Sequence, residues 1–237
     1  MTSCGTYGAA TIDVAADLVQ GTLNANCLVL TNTGGVTDVH LNGFTITCSN
    51  GSGCGAAITR GAGASLYFVD STAGTTTAGI FGEWTYGIRN GYASGIRIDG
   101  PDYGIYNEAA TCGSSCLVQS NVIRNCDVGI WASATGSITD NYVVDSTTYG
   151  IDVSSAGSAV AVDHNYVRGY GSAGIRVAST VSAAGNIVER GNGSYPPTIS
   201  PVSQVGGTPP AAGWSASTNI CEDTTWCPRK TPPFFLP

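Results

Sequence analysis

The sequence predicts an all-β solenoid, a chain wound in successive turns whose strands stack in parallel register. Two recurring markers and the length of the apolar runs predict it. Gly-Ile returns at Gly104-Ile105, Gly129-Ile130, Gly150-Ile151 and Gly174-Ile175, in steps of 25, 21 and 24 residues. Asn followed by apolar residues returns at Asn121-Val122-Ile123, Asn141-Tyr142-Val143, Asn165-Tyr166-Val167 and Asn186-Ile187-Val188, in steps of 20, 24 and 21. Two markers that keep pace through short insertions mark one structural repeat, and a period of roughly 20–25 residues suits a coiled solenoid. The apolar runs are short, as in Tyr142-Val143-Val144, Val160-Ala161-Val162 and Ile175-Arg176-Val177, and Gly, Asn, Ser or Asp separates them. A helix would need apolar residues at three- and four-residue spacing over ten or more positions, so the punctuation is that of strand and turn. Stacked turns carry the apolar side chains inward and let Asn at an equivalent corner ladder its amides from turn to turn. Gly before Ile suits a tight corner where φ is positive.

Taken in order, residues 1–56 read as an N-terminal capping coil. Strands are expected at Thr11-Ile12-Asp13-Val14 and Cys27-Leu28-Val29-Leu30, and a longer one from Val39 to Cys48. A solenoid end has unpaired strand edges that need covering. Residues 57–190 read as the coils. Leu66-Tyr67-Phe68-Val69 is a strand, and Gly79-Ile80, Gly87-Ile88 and Gly95-Ile96 recur in steps of 8, too short for a full turn, which suggests successive strands within coils. An insertion from Ala109 to Cys116 widens one coil. Residues 191–237 change character: nine of the ten prolines lie there. Proline cannot donate to a ladder, so the solenoid is expected to end before this segment. Trp214, Trp226, Phe234 and Phe235 make it too apolar for a free linker. A Pro-rich extended tail that packs on the solenoid or on a neighbouring molecule is the expectation.

With these markers on the page, the chain resembles the right-handed parallel β-helix family, the pectate-lyase-like solenoids. The alternation of Asn-x-Val/Ile with Gly-Ile-x-Val carries the resemblance. So does Val39-His40-Leu41-Asn42-Gly43-Phe44-Thr45-Ile46, which is similar to a Leu-Asn-Gly-His-Thr-Ile element of a first coil, with Cys4-Gly5-Thr6 and Asn26-Cys27-Leu28 upstream. The resemblance covers about residues 4–190. It implies a single-stranded right-handed parallel β-helix with an N-terminal cap and a Pro-rich C-terminal extension. It implies little about activity, because this fold carries lyases, hydrolases, epimerases and non-catalytic proteins. Tyr149-Gly150-Ile151-Asp152 resembles the start of the Tyr-Gly-x-Asp-Pro-His motif of alginate epimerases, but Val153-Ser154 stands in place of Pro-His, so the catalytic histidine is missing. The Asn-Thr-Asp, Asp-Asp and Gly-His-Gly set of polygalacturonases is absent.

Composition narrows the function classes. Charged residues are 11% of the 237, and Lys230 is the single lysine, against about 25% charged in typical soluble domains. The surface is therefore built from Ser, Thr, Asn and Gly, a texture of secreted solenoids. The net charge of −7 disfavours nucleic acid, whose phosphates need clustered Lys and Arg. No apolar run approaches the roughly 18 residues of a membrane span. Met1-Thr2-Ser3 opens the chain with no basic or apolar leader. Either the protein is cytoplasmic or this numbering starts after signal removal. The nine cysteines favour the second and an extracellular location, secreted or at the cell surface. Local pairs suggest themselves: Cys4 with Cys27, Cys48 with Cys54, Cys112 with Cys116 and Cys221 with Cys227. Cys126 is most simply the odd one, although it competes with Cys112 for Cys116. No Cys-x2-Cys occurs, the cysteine nearest His40 is Cys48, eight positions on, and His164 has no cysteine within ten positions, so no metal site is expected. No cofactor is called for; calcium is allowed, but no residue pattern indicates it.

The residue after each Gly-Ile supplies the candidate site: Arg89, Arg97, Tyr106, Trp131, Asp152 and Arg176. Beside an inward Ile it points outward, so stacked turns would set these side chains in one exterior column. Aromatic faces stack on sugar rings, and Asp with Arg hydrogen-bonds hydroxyls or carboxylates. Tyr106, Trp131 and Arg97 are the candidate substrate-binding residues, and Asp152 and Arg176 the candidate catalytic ones. The competing reading is a solvated face on which Tyr and Trp cover the ladder. A second column, three residues after each Asn, holds Arg124, Val144, Arg168 and Glu189 and reads as a salt-bridged surface. Paired carboxylates for glycoside hydrolysis would come from Asp127, Asp140, Asp145, Asp152 and Asp163. His164 falls at a corner position shared with Ser120, Asp140 and Gly185, which favours a structural role. Two functions follow. One is a secreted protein that binds or cleaves an extracellular polysaccharide. The other is a non-catalytic fibre, appendage subunit or adhesin whose partners are copies of itself.

Overall fold

The structure is a computed structural model, and it describes residues 1–65, 67–71, 78–108, 116–133, 136–153, 160–178, 181–189, 200–204 and 219–221. Every regular element among them is a strand. The first sheet stacks Gly5–Tyr7, Leu28–Leu30, Cys54–Arg60, Trp84–Arg89, Tyr103–Asn107, Val128–Ala132, Tyr149–Val153, Ala173–Val177 and Ser200–Gln204, in that order. The second stacks Thr11–Asp13, Thr37–His40, Tyr67–Asp70, Tyr92–Ser94, Cys116–Gln119, Gly136–Thr139, Val160–Asp163 and Ser182–Ala184. The third stacks Leu18–Gln20, Thr45–Cys48, Gly79–Phe81, Arg97–Asp99, Val122–Arg124, Tyr142–Ser146, Tyr166–Tyr170, Ile187–Glu189 and Ile220–Cys221. Each strand pairs in parallel with its equivalent one turn away, so the chain is a right-handed parallel β-helix. No helix long and apolar enough to cross a membrane is present among the described residues.

The core consists of files of aliphatic side chains, one position per turn. Ile58, Ile88, Ile105, Ile130, Ile151 and Ile175 are in register in the first sheet and fully buried. Ile98, Ile123, Val143, Val167 and Val188 do the same in the third, and Val69, Ala93, Val118, Ile138, Val162 and Ala183 in the second. In the first-sheet strands the Gly of Gly-Ile is not a corner. At Gly129 an added Cβ would lie 2.4 Å from Val143 Cγ1 and 2.6 Å from the Gly150 carbonyl, and at Gly104 2.6 Å from Ile123 Cγ2. Glycine is needed there because the third sheet packs directly onto the backbone of the first, not because φ is positive.

The left-handed corners that recur along the solenoid are elsewhere in the turn. Between the second and third sheets they fall at Ser120, Asp140 and His164, with φ of 55°, 56° and 57°, and at Gly95 and Gly185. Between the third and first sheets they fall at Gly100, Asn125, Asp145 and Gly169. Gly, Asn and Asp tolerate this region best. The same chemistry splits the run Val39 to Cys48, expected as one strand: Asn42 and Gly43 turn it with φ of 51° and 86° into a second-sheet strand and a third-sheet strand.

Inside the first of these corners runs a buried ladder. The Asn121 side chain donates to Asn141 Oδ1 (2.9 Å), Asn141 to Asn165 Oδ1 (2.9 Å), Asn165 to Asn186 Oδ1 (3.0 Å) and Asn186 to Asn219 Oδ1 (2.9 Å). Each amide also donates to a second-sheet carbonyl, and each Oδ1 from Asn141 to Asn219 takes a backbone N–H from the previous rung. The polar column is buried but satisfied, which is the condition for placing amides in a core.

Residues 1–56 contribute rungs to all three sheets, and Cys4–Cys27 and Cys48–Cys54 are disulfides as expected. The first ties two successive first-sheet strands at their starts; the second closes the loop between Thr45–Cys48 and Cys54–Arg60. Cys126 is free and buried, and burial pushes its thiol well above the ordinary value. The ladder also runs past residue 190, where the prolines were expected to have ended it. Ser200–Gln204 pairs with Ala173–Val177, and Ile220–Cys221 with the strand Ile187–Glu189. Pro201 sits in the last strand of its sheet among the described residues. The expected pairs Cys112–Cys116 and Cys221–Cys227 each include a residue outside the described ones, as do Trp214, Trp226, Phe234 and Phe235.

Candidate functional site

The exterior face of the first sheet assembles most of the predicted column. Arg89, Tyr106, Trp131, Asp152 and Arg176 occupy one register position on five successive strands. Arg97 does not join them: Gly95 is a corner, and Arg97 opens a third-sheet strand. There it donates to Asp99 at 3.1 Å and lies 5.3 Å from the centre of the Phe81 ring. Gly-Ile thus marks two different places in the turn, and spacing in the sequence alone does not separate them.

A second exterior column lies on the other side of Gly-Ile. Tyr86, Tyr103, Val128, Tyr149 and Ala173 are in register on the same strands. The repeated Tyr-Gly-Ile at residues 86–88, 103–105 and 149–151 was the signal for it. Together the columns make a half-exposed aromatic patch. Tyr106 and Trp131 stack nearly parallel, with centroids 4.3 Å apart and planes 10° apart. Tyr103 meets Tyr106 edge-on at 5.2 Å, and Tyr86 contacts both. Glu108 accepts a hydrogen bond from the Tyr106 hydroxyl at 3.0 Å and lies 4.0 Å from Arg89. Burial and then Glu108 push the Tyr106 hydroxyl up to about 12.

The proposed catalytic pair sits below this patch, and its members hold each other. Arg176 donates from Nε to Asp152 Oδ1 at 2.9 Å and from its terminal nitrogen to Oδ2 at 2.5 Å. Its other terminal nitrogen reaches the Tyr149 hydroxyl at 2.8 Å, and its carbon lies 3.9 Å from the centre of that ring. The Asp152 side chain is 2% exposed. The bond to Asp152, ahead of every other influence, holds the Arg176 guanidinium above its ordinary value. A carboxylate in a bidentate pair is poorly placed to exchange a proton with a substrate.

The other candidate carboxylates divide between corners and edges. Asp140 and Asp145 are left-handed corner residues, and Asp163 accepts the Ala184 backbone N–H at 3.0 Å. Asp127 bonds the Thr147 hydroxyl and lies in register with Asp102 at the start of the first-sheet strands. His164 rests its ring over the next corner, where a Cβ on Gly185 would come within 2.8 Å of it. On the third sheet Arg124, Val144, Arg168 and Glu189 are in register as the expected second column, which Asp99 extends by one rung, beside a Tyr142–Tyr166 stack at 4.8 Å.

His40 bonds Asp70 at 2.9 Å on the second sheet, and that bond raises it above its ordinary value despite partial burial, with Asp13 and Asp38 nearby. It lies five rungs from the position of Asp163, which precedes His164. At about 4.8 Å per rung the two histidines are ~24 Å apart.

No curated protein and no solved structure matches the chain. A family model, described as periplasmic copper-binding protein (NosD), matches residues 28–194. The match begins at the second first-sheet strand and runs through the regular turns, so it covers most of the solenoid and most of the chain. The copper in that description finds no donor set among the described residues. No group of three or more His, Cys, Asp or Glu residues there could hold a metal ion. Copper favours imidazole, thiolate and thioether donors, yet the two histidines are turns apart, Cys126 is buried, the first four cysteines are in disulfides, and Met1 is the single methionine. Fold and family agree where the metal does not: the chain belongs to the NosD family of periplasmic parallel β-helix proteins.

Proposed function

We propose that this chain is a non-catalytic β-helix that works outside the cytoplasm and binds carbohydrate on the exterior face of its first sheet. The observation that carries the proposal is the contiguous, half-exposed patch of Tyr86, Tyr103, Tyr106 and Trp131 across successive turns. Aromatic faces beside hydroxyl and carboxylate groups suit sugar rings. Binding is favoured over cleavage because Asp152 and Arg176 are engaged with each other. An extracellular location, secreted or at the cell surface, is the finer expectation, and the two disulfides support an oxidising compartment. The Pro-rich segment 191–237 belongs to the same proposal as an extension that packs on the solenoid or on a neighbouring copy.

The test is a glycan panel assayed for binding and for product. Binding by the intact protein, weakened in Trp131→Ala, with no new reducing ends or unsaturated products, is the expected result. Turnover that disappears in Asp152→Ala would replace binding with catalysis. A second reading, a structural or assembly protein, is favoured by the stacking of Tyr106 on Trp131, which covers one face of each ring. Polymers that grow with concentration and vanish on deleting residues 206–237, with no glycan bound, would select it.

A further inference from the structure

The charges around the aromatic patch are divided unequally. Its cations are already opposed: Arg176 by Asp152, and Arg89 by Glu108. Its acids at the other border are not. Glu83, Asp102 and Asp127 immediately precede the strands Trp84–Arg89, Tyr103–Asn107 and Val128–Ala132. All three are exposed, and no ion pair among the described residues includes any of them. Asp102 and Asp127 are one rung apart, about 4.8 Å along the solenoid axis, close to the length of one pyranose unit. The electrostatics agree with the placement. Partial burial, then Asp127 and Glu83, hold the Asp102 carboxyl above its ordinary value, and the Tyr103 hydroxyl is raised by burial and then by its neighbours Tyr86, Asp102, Asp127 and Asp152. A negative border thus runs along an aromatic platform.

We infer that the glycan taken by this face is cationic, a polymer of free-amine sugars lying along the solenoid axis with its ammonium groups toward Glu83, Asp102 and Asp127; this rests on the carbohydrate reading above. The two halves of the ligand match the two halves of the surface. The apolar sugar face sits on Tyr and Trp rings, and an ammonium gains both from carboxylates and from nearby aromatic faces. A uronate polymer meets the same border with like charge and finds Arg89 and Arg176 already engaged.

The experiment compares oligomers of equal length by calorimetry at about pH 5.5 and low salt: glucosamine, N-acetylglucosamine and galacturonate, with oligolysine as a basic peptide. Exposed charge pairs are individually weak, and three of them together should make the free-amine oligomer bind about tenfold more tightly than its N-acetylated counterpart. That preference should shrink with added salt and fall toward one in Glu83→Gln/Asp102→Asn, whose fold is checked by its unfolding midpoint. Equal affinity for the two glucosamine forms, or tighter binding of galacturonate, overturns the inference and leaves the carbohydrate reading standing. Oligolysine binding as tightly as the free-amine oligomer also overturns it, since any polycation would then suffice. Absence of binding to every glycan overturns both readings.

Discussion

Removing one amide from the Asn ladder should destabilise the protein far more than removing a surface contact. Asn165 is the middle rung. Its side chain donates to the Ile138 carbonyl at 2.8 Å, the Asp163 carbonyl at 3.1 Å and Asn186 Oδ1 at 3.0 Å. Its oxygen accepts the Asn141 backbone N–H at 3.0 Å and the Asn141 amide at 2.9 Å. Asn165→Ala leaves the Asn141 N–H without its partner in a position 1% exposed and strips the Ile138 carbonyl of its side-chain donor. Each orphaned buried group costs about 1–3 kcal/mol, so the loss should be ~2–6 kcal/mol. Against a total of roughly 5–15 kcal/mol for a typical domain, that is a large share. Urea unfolding followed by tryptophan fluorescence reads it, and the m value must be compared, since a solenoid that loses a rung can unfold in two parts. The control is Asp140→Gly, at an exposed left-handed corner beside the ladder, expected to stay within about 1 kcal/mol because Gly fits that conformation. A loss below about 1 kcal/mol for Asn165→Ala would mean that the amides are not holding the turns together.

Gly129→Ala should destabilise by about 1–3 kcal/mol through overpacking, because its Cβ meets Val143 and the Gly150 carbonyl; partial rescue by Val143→Ala, read by melting temperature, distinguishes crowding from backbone strain. His164→Gly should leave stability and any glycan binding unchanged within error, since Gly95 and Gly185 occupy the same corner; a loss of binding would make that histidine functional. The His40–Asp70 bond raises the folded-state His40 pKa, so its contribution is full below the unfolded value of about 6.5 and is lost as pH rises through the folded value. His40→Gln should therefore cost more stability at about pH 5.5 than at pH 8.5, and an equal cost at both refutes the pairing. Titration of the oxidised protein with Cu(II), read by calorimetry and electron paramagnetic resonance, should show no stoichiometric histidine-ligated site; one equivalent bound with nitrogen hyperfine structure would overturn the mismatch between fold and metal.

The turn architecture was legible because a solenoid repeats its constraints. Inward Ile, corner Asn and short apolar runs each recur once per turn, so chance matches are diluted by repetition, and the Asn ladder was readable from Asn121 to Asn186, though not at its last rung, Asn219. What misled was any motif that one turn uses twice. Gly-Ile precedes an outward residue in the first sheet at Tyr106 and Trp131, yet at Gly95 the same dipeptide straddles a corner and sends Arg97 to another face. The reason for the glycine was also hidden, because a packing contact between Gly129 and Val143 has no signature within either segment. The candidate site was half visible for a related reason. The column after Gly-Ile was read, whereas the Tyr column before it emerged only once the sheet placed Tyr86 and Tyr103 beside Tyr106. The acids at 83, 102 and 127 have no common spacing at all, since insertions of different length separate them.

Parallel stacking brings like residues together on the outside as it does on the inside, so a column of aromatic or charged side chains is not by itself a sign of function. The useful question is whether the members of a column satisfy one another. In the Asn ladder the amides and oxygens are taken by neighbouring rungs and second-sheet carbonyls, and the column is structural. Asp152 and Arg176 fall in the same class, since each is the other's main partner. Tyr142 and Tyr166 stack within 5° of parallel, with the Tyr166 hydroxyl on Glu189, and again little capacity is left over. The first-sheet face differs in its charges, since its rings also pair off, Tyr103 on Tyr86 and Tyr106 on Trp131. The carboxylates of Glu83 and Asp102 meet no cation among the described residues. Residual bonding capacity, rather than the alignment of residues, is what supports the proposal that this face takes another molecule.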